Sequence, residues 1–230
     1  QQTKLLGMKK TIFATSWVTP SNIDNLMEGE DREQMESSIA SICDSDGMSD
    51  NAFAQGFDKK NSIYICPGTM LAMAVDAEMG TEESLENGLS QTLFHELAHT
   101  IDAKRGNPGE QFYQPLLACY ENASENYGTD GYFPHRKGEC TADHWATQAM
   151  IRYMKAKGDL SYDKKVLLLR QSYGGYCELP GQNAQQRESS HPSGRFRIEV
   201  LLAGDSSVRQ LMGCNATQQT GPSCSIAGGK

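Results

Sequence analysis

Positive charge is scarce in this chain. Its 21 Lys and Arg stand against 29 Asp and Glu, a formal net charge of −8. A phosphate-binding surface relies on clustered Lys and Arg, so nucleic acid is not an expected partner. Long apolar runs are missing as well. None, VLLL after Lys165 included, is long enough to span a membrane, and the AGGK ending carries no prenylation box. The cysteines include no C-x-x-C pair, which argues against a cysteine-rich zinc knuckle. No internal repeat and no long low-complexity segment occurs. What is present is a globular composition, 38% hydrophobic and 22% charged over 230 residues. That suffices for one sizeable domain, residues 1–230, with a strand-and-helix part to about 105 and a helical part after it.

Seven cysteines are many for a reduced cytosolic enzyme: Cys43, Cys66, Cys119, Cys140, Cys177, Cys214 and Cys224. They favour an oxidising compartment with some disulfides over a set of small buried hydrophobes. The odd count leaves at least one thiol unpaired within the chain. The opening QQTKLL, without an initiator Met, fits removal of a signal segment or trimming, so a secreted or periplasmic protein is expected. Asn122 and Asn215 begin glycosylation sequons, which matter only in a host that glycosylates.

Local patterns suggest a helix-rich chain with a small sheet. Met35, Ile39 and Ile42 fall at helical spacing within a helix over about Arg32 to Cys43. CDSDGMSDN (43–51) reads as a solvated loop, since Gly47 does not fit a calcium-loop register. NSIYIC (61–66) reads as a strand, and Thr69 to Met79 as a helix. Thr81 caps a long helix running to about Lys104 or Arg105, with Leu85, Leu89, Thr92, Leu93, Leu97 and Ile101 as its apolar stripe. A short helix is expected near Pro115 to Glu121, others over Glu139 to Lys155 and Tyr162 to Ser172, and two short ones over 196–203 and 206–212. In the 139–155 helix, Ala142, Ala146, Ala149 and Met150 form the packing face.

The long central helix contains FHELAHTID (94–102). Residues four apart share a helix face, and about 6 Å of axial rise lets the imidazoles of His95 and His99 converge on one ion. Glu96 adjoins that face, where it can reach a water on the ion and take its proton. A bare pattern of this kind can equally be a helix whose His and Glu make structural hydrogen bonds. A catalytic zinc needs a third protein ligand and an open position. A glycine and a third histidine at 102 and 105 would complete one known arrangement, but Asp102 and Arg105 stand there. GECTADHWA instead offers Glu139 and Asp143 on one face of a later helix. Glu139 can complete the metal shell, and Asp143 can accept a hydrogen bond from the outer nitrogen of His95. Taken alone, the two acids could be ordinary N-terminal helix charges. His135 and His144 are the less favoured alternative ligands.

With these residues in hand, the sequence resembles a gluzincin metallopeptidase. NAFA (51–54), HELAHTID with its trailing Asp102, and HPSGRFRIEVLL (191–202) followed by LMGC resemble blocks of neprilysin-like peptidases. The NAFA and adjacent His-Pro also resemble HtpX-like peptidases. The resemblance spans about residues 50–215 in scattered, collinear blocks. It implies a zincin-like fold and that His191 and Arg197 stabilise the oxyanion or orient the site. It further implies that Asn51 and Ala52 bind a peptide substrate's backbone beside a strand edge. Asn51 as a turn residue and Arg197 as partner of a buried Asp remain open readings. The large extra helical domain of neprilysins does not fit in this length, and the membrane helices usual in HtpX-like enzymes are not evident.

The expectation is thus an α+β, zincin-like endopeptidase with one Zn2+ per chain on His95, His99 and Glu139. Glu96 is its general base, Asp143 and Asp102 support the ligands, and a peptide or protein is the substrate. Two rivals stand beside it. One is a non-catalytic, zinc-containing binding or chaperone-like module. The other is a latent peptidase in which the loop at 174–194 closes the metal with His191.

Overall fold

A computed structural model of the protein describes residues 29–43, 51–56, 61–69, 82–99, 110–125, 127, 136–176, 191–214 and 224. The chain divides into two compact units, one of Met8–Leu89 and the other of Ser90–Lys230 with Gln1–Gly7. Among the described residues helices dominate, with one two-stranded sheet.

In the first unit, α1 (Gly29–Ile42) precedes an antiparallel hairpin of β1 (Ala52–Gly56) and β2 (Asn61–Ile65). The register sets Phe53 opposite Tyr64, and their rings stack with centroids 5.5 Å apart. Aromatic cross-strand pairs of this kind are the unit of sheet stabilisation. Cys43 just past α1 and Cys66 just past β2 form a disulfide. With Phe53, Tyr64 and the flanking Ile39 and Ile42, it makes a small buried cluster that ties helix to hairpin. Residues 67–69 are helical, and the remainder of the helix expected over Thr69 to Met79 lies outside the described residues, as does Thr81.

Helix α2 (Glu82–His99) carries the HELAH segment, and its expected extension past His99 lies outside the described residues. Its inward face is not the leucine stripe. Leu93 is 40% exposed and Thr92 and Leu97 are only partly covered, whereas Ser90, Gln91, His95, Glu96 and Ala98 are buried. A polar face turns inward where its groups find partners, and His95 meets Asp143 there.

The second unit is built on α3 (Glu110–Ser124), α4 (Lys137–Ala156) and α5 (Tyr162–Tyr173). A 3-10 turn, Gly174–Tyr176, follows α5. Further on come α6 (Gly194–Phe196), a π-helical stretch Arg197–Leu202 and α7 (Ser206–Leu211). Helix α3 is twice the length expected near Pro115 to Glu121. Tyr113, Leu116, Leu117, Tyr120 and Ala123 recur at helical spacing and are all buried. That packing outweighs the cost of Pro115 within the helix, about 3 kcal/mol. A buried core joins this stripe to Cys140 of α4 and to Phe196, Val200 and Leu201. A second cluster joins Met150 and Ile151 of α4 to Tyr173, Leu202 and Val208, with Phe94 of α2 packed against it.

Side-chain caps start three of the helices: Ser161 accepts from Lys164 N, Ser193 from Phe196 N, and Asp205 from Ser207 N and Val208 N. Cys119 and Cys224 form a disulfide that closes a separation of 105 residues. Cys140, buried, and Cys214, exposed, are free thiols, and Cys177 lies outside the described residues. Also outside are residues 1–28, 44–50, 128–135 and 177–190. Among the described residues, no helix is long and apolar enough to cross a membrane.

Candidate metal centre

Helices α2 and α4 bring the site together. His95 and His99 lie one turn apart on α2, and their Nε2 atoms are 3.1 Å apart. Glu139, in the first turn of α4, places Oε2 3.1 Å from His95 Nε2 and 3.4 Å from His99 Nε2. The three atoms form a nearly regular triangle. Ligands on a tetrahedral zinc at about 2.0–2.1 Å are separated by roughly 3.4 Å, so the triangle matches one face of such a site.

The chemistry of the donors agrees with the spacing. Asp143 Oδ1 lies 2.8 Å from His95 Nδ1. Burial alone would raise the Asp143 carboxyl, but the Arg197 guanidinium and His95 hold it at about 2. An ionised Asp143 can only accept, so His95 donates from Nδ1, and in the neutral imidazole its Nε2 lone pair points to the centre of the triangle. Burial would also raise Glu139, yet the His191, His95 and His99 contacts hold it well below the usual carboxylate range. Lone pairs from a carboxylate and two imidazoles brought this close repel unless a proton or a metal ion sits among them. This donor set fits a metal ion.

Two groups extend the cluster. Glu96 is buried, and one of its oxygens lies within 4.8 Å of the ligand atoms of both His95 and His99. Burial raises its pKa, offset in part by His95 and His99. His191, preceding α6, sets Nε2 2.9 Å from Glu139 Oε2, and its ring stacks on that of His95 with centroids 6.2 Å apart. His95, Glu139 and His191 thus make a second ligand triple sharing two members with the first.

Arg197 behaves differently from His191. It directs Nε and one terminal nitrogen to the two oxygens of Asp143, at 2.8 and 2.6 Å. Its guanidinium carbon lies 3.8 Å from the centroid of the Tyr176 ring. The described contacts of Arg197 therefore face the support of His95. Tyr176 is not marked by any sequence pattern, because an aromatic ending a 3-10 turn carries no local signature.

Asn51 and Ala52 stand at the start of β1 in the first unit. The Asn51 side chain accepts from Ala52 N at 2.9 Å, and its carbonyl accepts from Cys66 N and Thr69 Oγ1. The Cys66-to-Asn51 bond continues the β1–β2 pairing by one residue beyond Ala52 and Ile65. His144 sits in the second unit with Nδ1 3.8 Å from Asp205 Oδ2, outside the ligand cluster, and burial holds its pKa down to about 4. Asp102 and His135 lie outside the described residues.

No protein-family model matches the chain, and neither a curated protein nor a solved structure does.

Proposed function

We propose that the chain is a zinc-dependent endopeptidase of zincin-like fold, with one Zn2+ held by His95, His99 and Glu139. The observation that supports this most is the convergence of three ligand atoms at 3.1 to 3.4 Å beside the buried carboxylate of Glu96. When bound, zinc supplies Lewis acidity, bringing the pKa of water to about 7 and polarising a carbonyl.

The chain's own groups would do the rest. Glu96, raised by burial, is tuned to take a proton from the attacking water and return it to the leaving amine. Asp143 keeps His95 in the tautomer whose Nε2 carries a lone pair. Arg197 keeps Asp143 ionised and oriented. His191, beside Glu139, is placed to donate to a substrate carbonyl oxygen as charge develops. The substrate class is a peptide or an unfolded polypeptide. Two disulfides among the described residues suit an exported protein.

The contact at 2.9 Å between His191 and Glu139 also favours a second reading, in which His191 is a further ligand and the resting enzyme is latent. A non-catalytic zinc module is disfavoured by the buried Glu96, for which a structural site has no use. The test is metal analysis with cleavage of a diverse peptide library, wild type against Glu96→Gln. Stoichiometric zinc in both and cleavage only by the wild type is expected; equal turnover, or no zinc, overturns the proposal.

A further inference from the structure

One face of α4 organises more than the ligand. Glu139, Asp143 and Thr147 recur every fourth residue, so they line a single stripe. The first offers a ligand atom, and the second grips both His95 and Arg197. Thr147 Oγ1 lies 3.2 Å from the Tyr173 hydroxyl, and the Tyr173 ring meets the edge of Tyr176 with centroids 6.1 Å apart. Tyr176 then presents its ring to the Arg197 guanidinium at 3.8 Å. The stack runs from α4 through two tyrosines to Arg197 and back to α4 at Asp143.

From this geometry we infer that Tyr176 is a positioning residue for the metal centre, acting through its ring face on Arg197 and thence on Asp143 and His95. A guanidinium makes two parallel hydrogen bonds to a carboxylate only while its plane is held, and an aromatic face fixes that plane. Arg197 opens a π-helical stretch, Arg197–Leu202, a rare form that recurs at functional sites. With the plane fixed, both Asp143 oxygens are occupied and one remains aligned on His95 Nδ1. The ring is what acts. The phenol stays neutral, because burial raises its pKa far beyond the ordinary value.

The inference rests on the metal-site part of the proposed function, and its test does not depend on peptide cleavage. Two readouts are taken on Tyr176→Leu and Tyr176→Phe. One is zinc affinity by chelator competition. The other is the His95 Nδ1–H signal in 15N-histidine-labelled, metal-free protein. The leucine variant should lose about 10-fold in affinity and broaden or lose the Nδ1–H signal. The phenylalanine variant should match the wild type in both. Wild-type affinity and signal in Tyr176→Leu would overturn the inference, as would equal loss in Tyr176→Phe. If Tyr176→Leu does not melt cooperatively, Tyr176→Met replaces it with the same expectations. A wild type that binds zinc but cleaves nothing ends the peptidase reading alone, and the Nδ1–H signal decides the inference even in the absence of metal.

Discussion

Arg197 and Asp143 form a two-pronged ion pair, Nε to Oδ2 at 2.8 Å and a terminal nitrogen to Oδ1 at 2.6 Å. The same Oδ1 accepts from His95 Nδ1 at 2.8 Å. One nearly buried carboxylate therefore links a cation to a candidate metal ligand. Removing it would leave Arg197 without its ion-pair partner and His95 without a fixed tautomer.

Asp143→Asn keeps the shape but not the charge. We expect zinc affinity to fall 10- to 100-fold, from the lost support of His95. We also expect stability to drop by about 3 kcal/mol, because Arg197 keeps a largely covered, uncompensated charge. Metal competition and urea unfolding of the metal-free protein read the two effects separately. Wild-type behaviour in both would show that the ion pair is idle.

Glu139→Ala removes one corner of the ligand triangle. Zinc binding is expected to weaken by at least an order of magnitude. Stoichiometric zinc held at normal affinity would refute the ligand assignment.

His191→Ala separates the open from the latent reading. If His191 assists a substrate carbonyl, turnover falls 10- to 1000-fold with zinc retained. If His191 caps the metal, turnover rises when it is removed. Initial rates on one peptide substrate distinguish the two.

His144 predicts an acid-dependent loss of stability. Its folded pKa is about 4 against an ordinary value of 6.5, because burial penalises the charged form. Between those values the unfolded chain binds more protons, so stability is full above pH 6.5 and falls as pH drops towards 4. The loss is on the order of 3 kcal/mol. His95, whose folded pKa is raised, acts in the opposite sense. The comparison is therefore between wild type and His144→Gln, both metal-free, by urea unfolding at several pH values. Parallel curves for the two proteins would contradict the assignment.

The Cys119–Cys224 bridge closes a separation of 105 residues. Replacing both cysteines with Ala should destabilise the second unit by roughly 2–5 kcal/mol, since a long loop regains its freedom on unfolding. Thermal melting at fixed pH reads it. An unchanged melting temperature would mean that the bridge does not form in solution.

Periodicity alone marks much of what is seen. The four-residue spacing of His95 and His99, and of Glu139 and Asp143, places each pair on one helix face, a local property that any helix enforces. The β-branched and aromatic run at 61–65 likewise declares a strand, though not its partner at 52–56. Other features depend on which groups meet across the chain. The inward face of α2 is polar because His95 finds Asp143, and no count of leucines reveals a partner 48 residues away. Helix α3 extends through Pro115 because its stripe is buried against Phe196 and Val200. Arg197 grips Asp143 under the Tyr176 ring, a three-body contact with no linear signature. Residue type and spacing thus settle which atoms are available to hold a metal. Packing between distant helices settles their mutual distances, their tautomers and which face is dry.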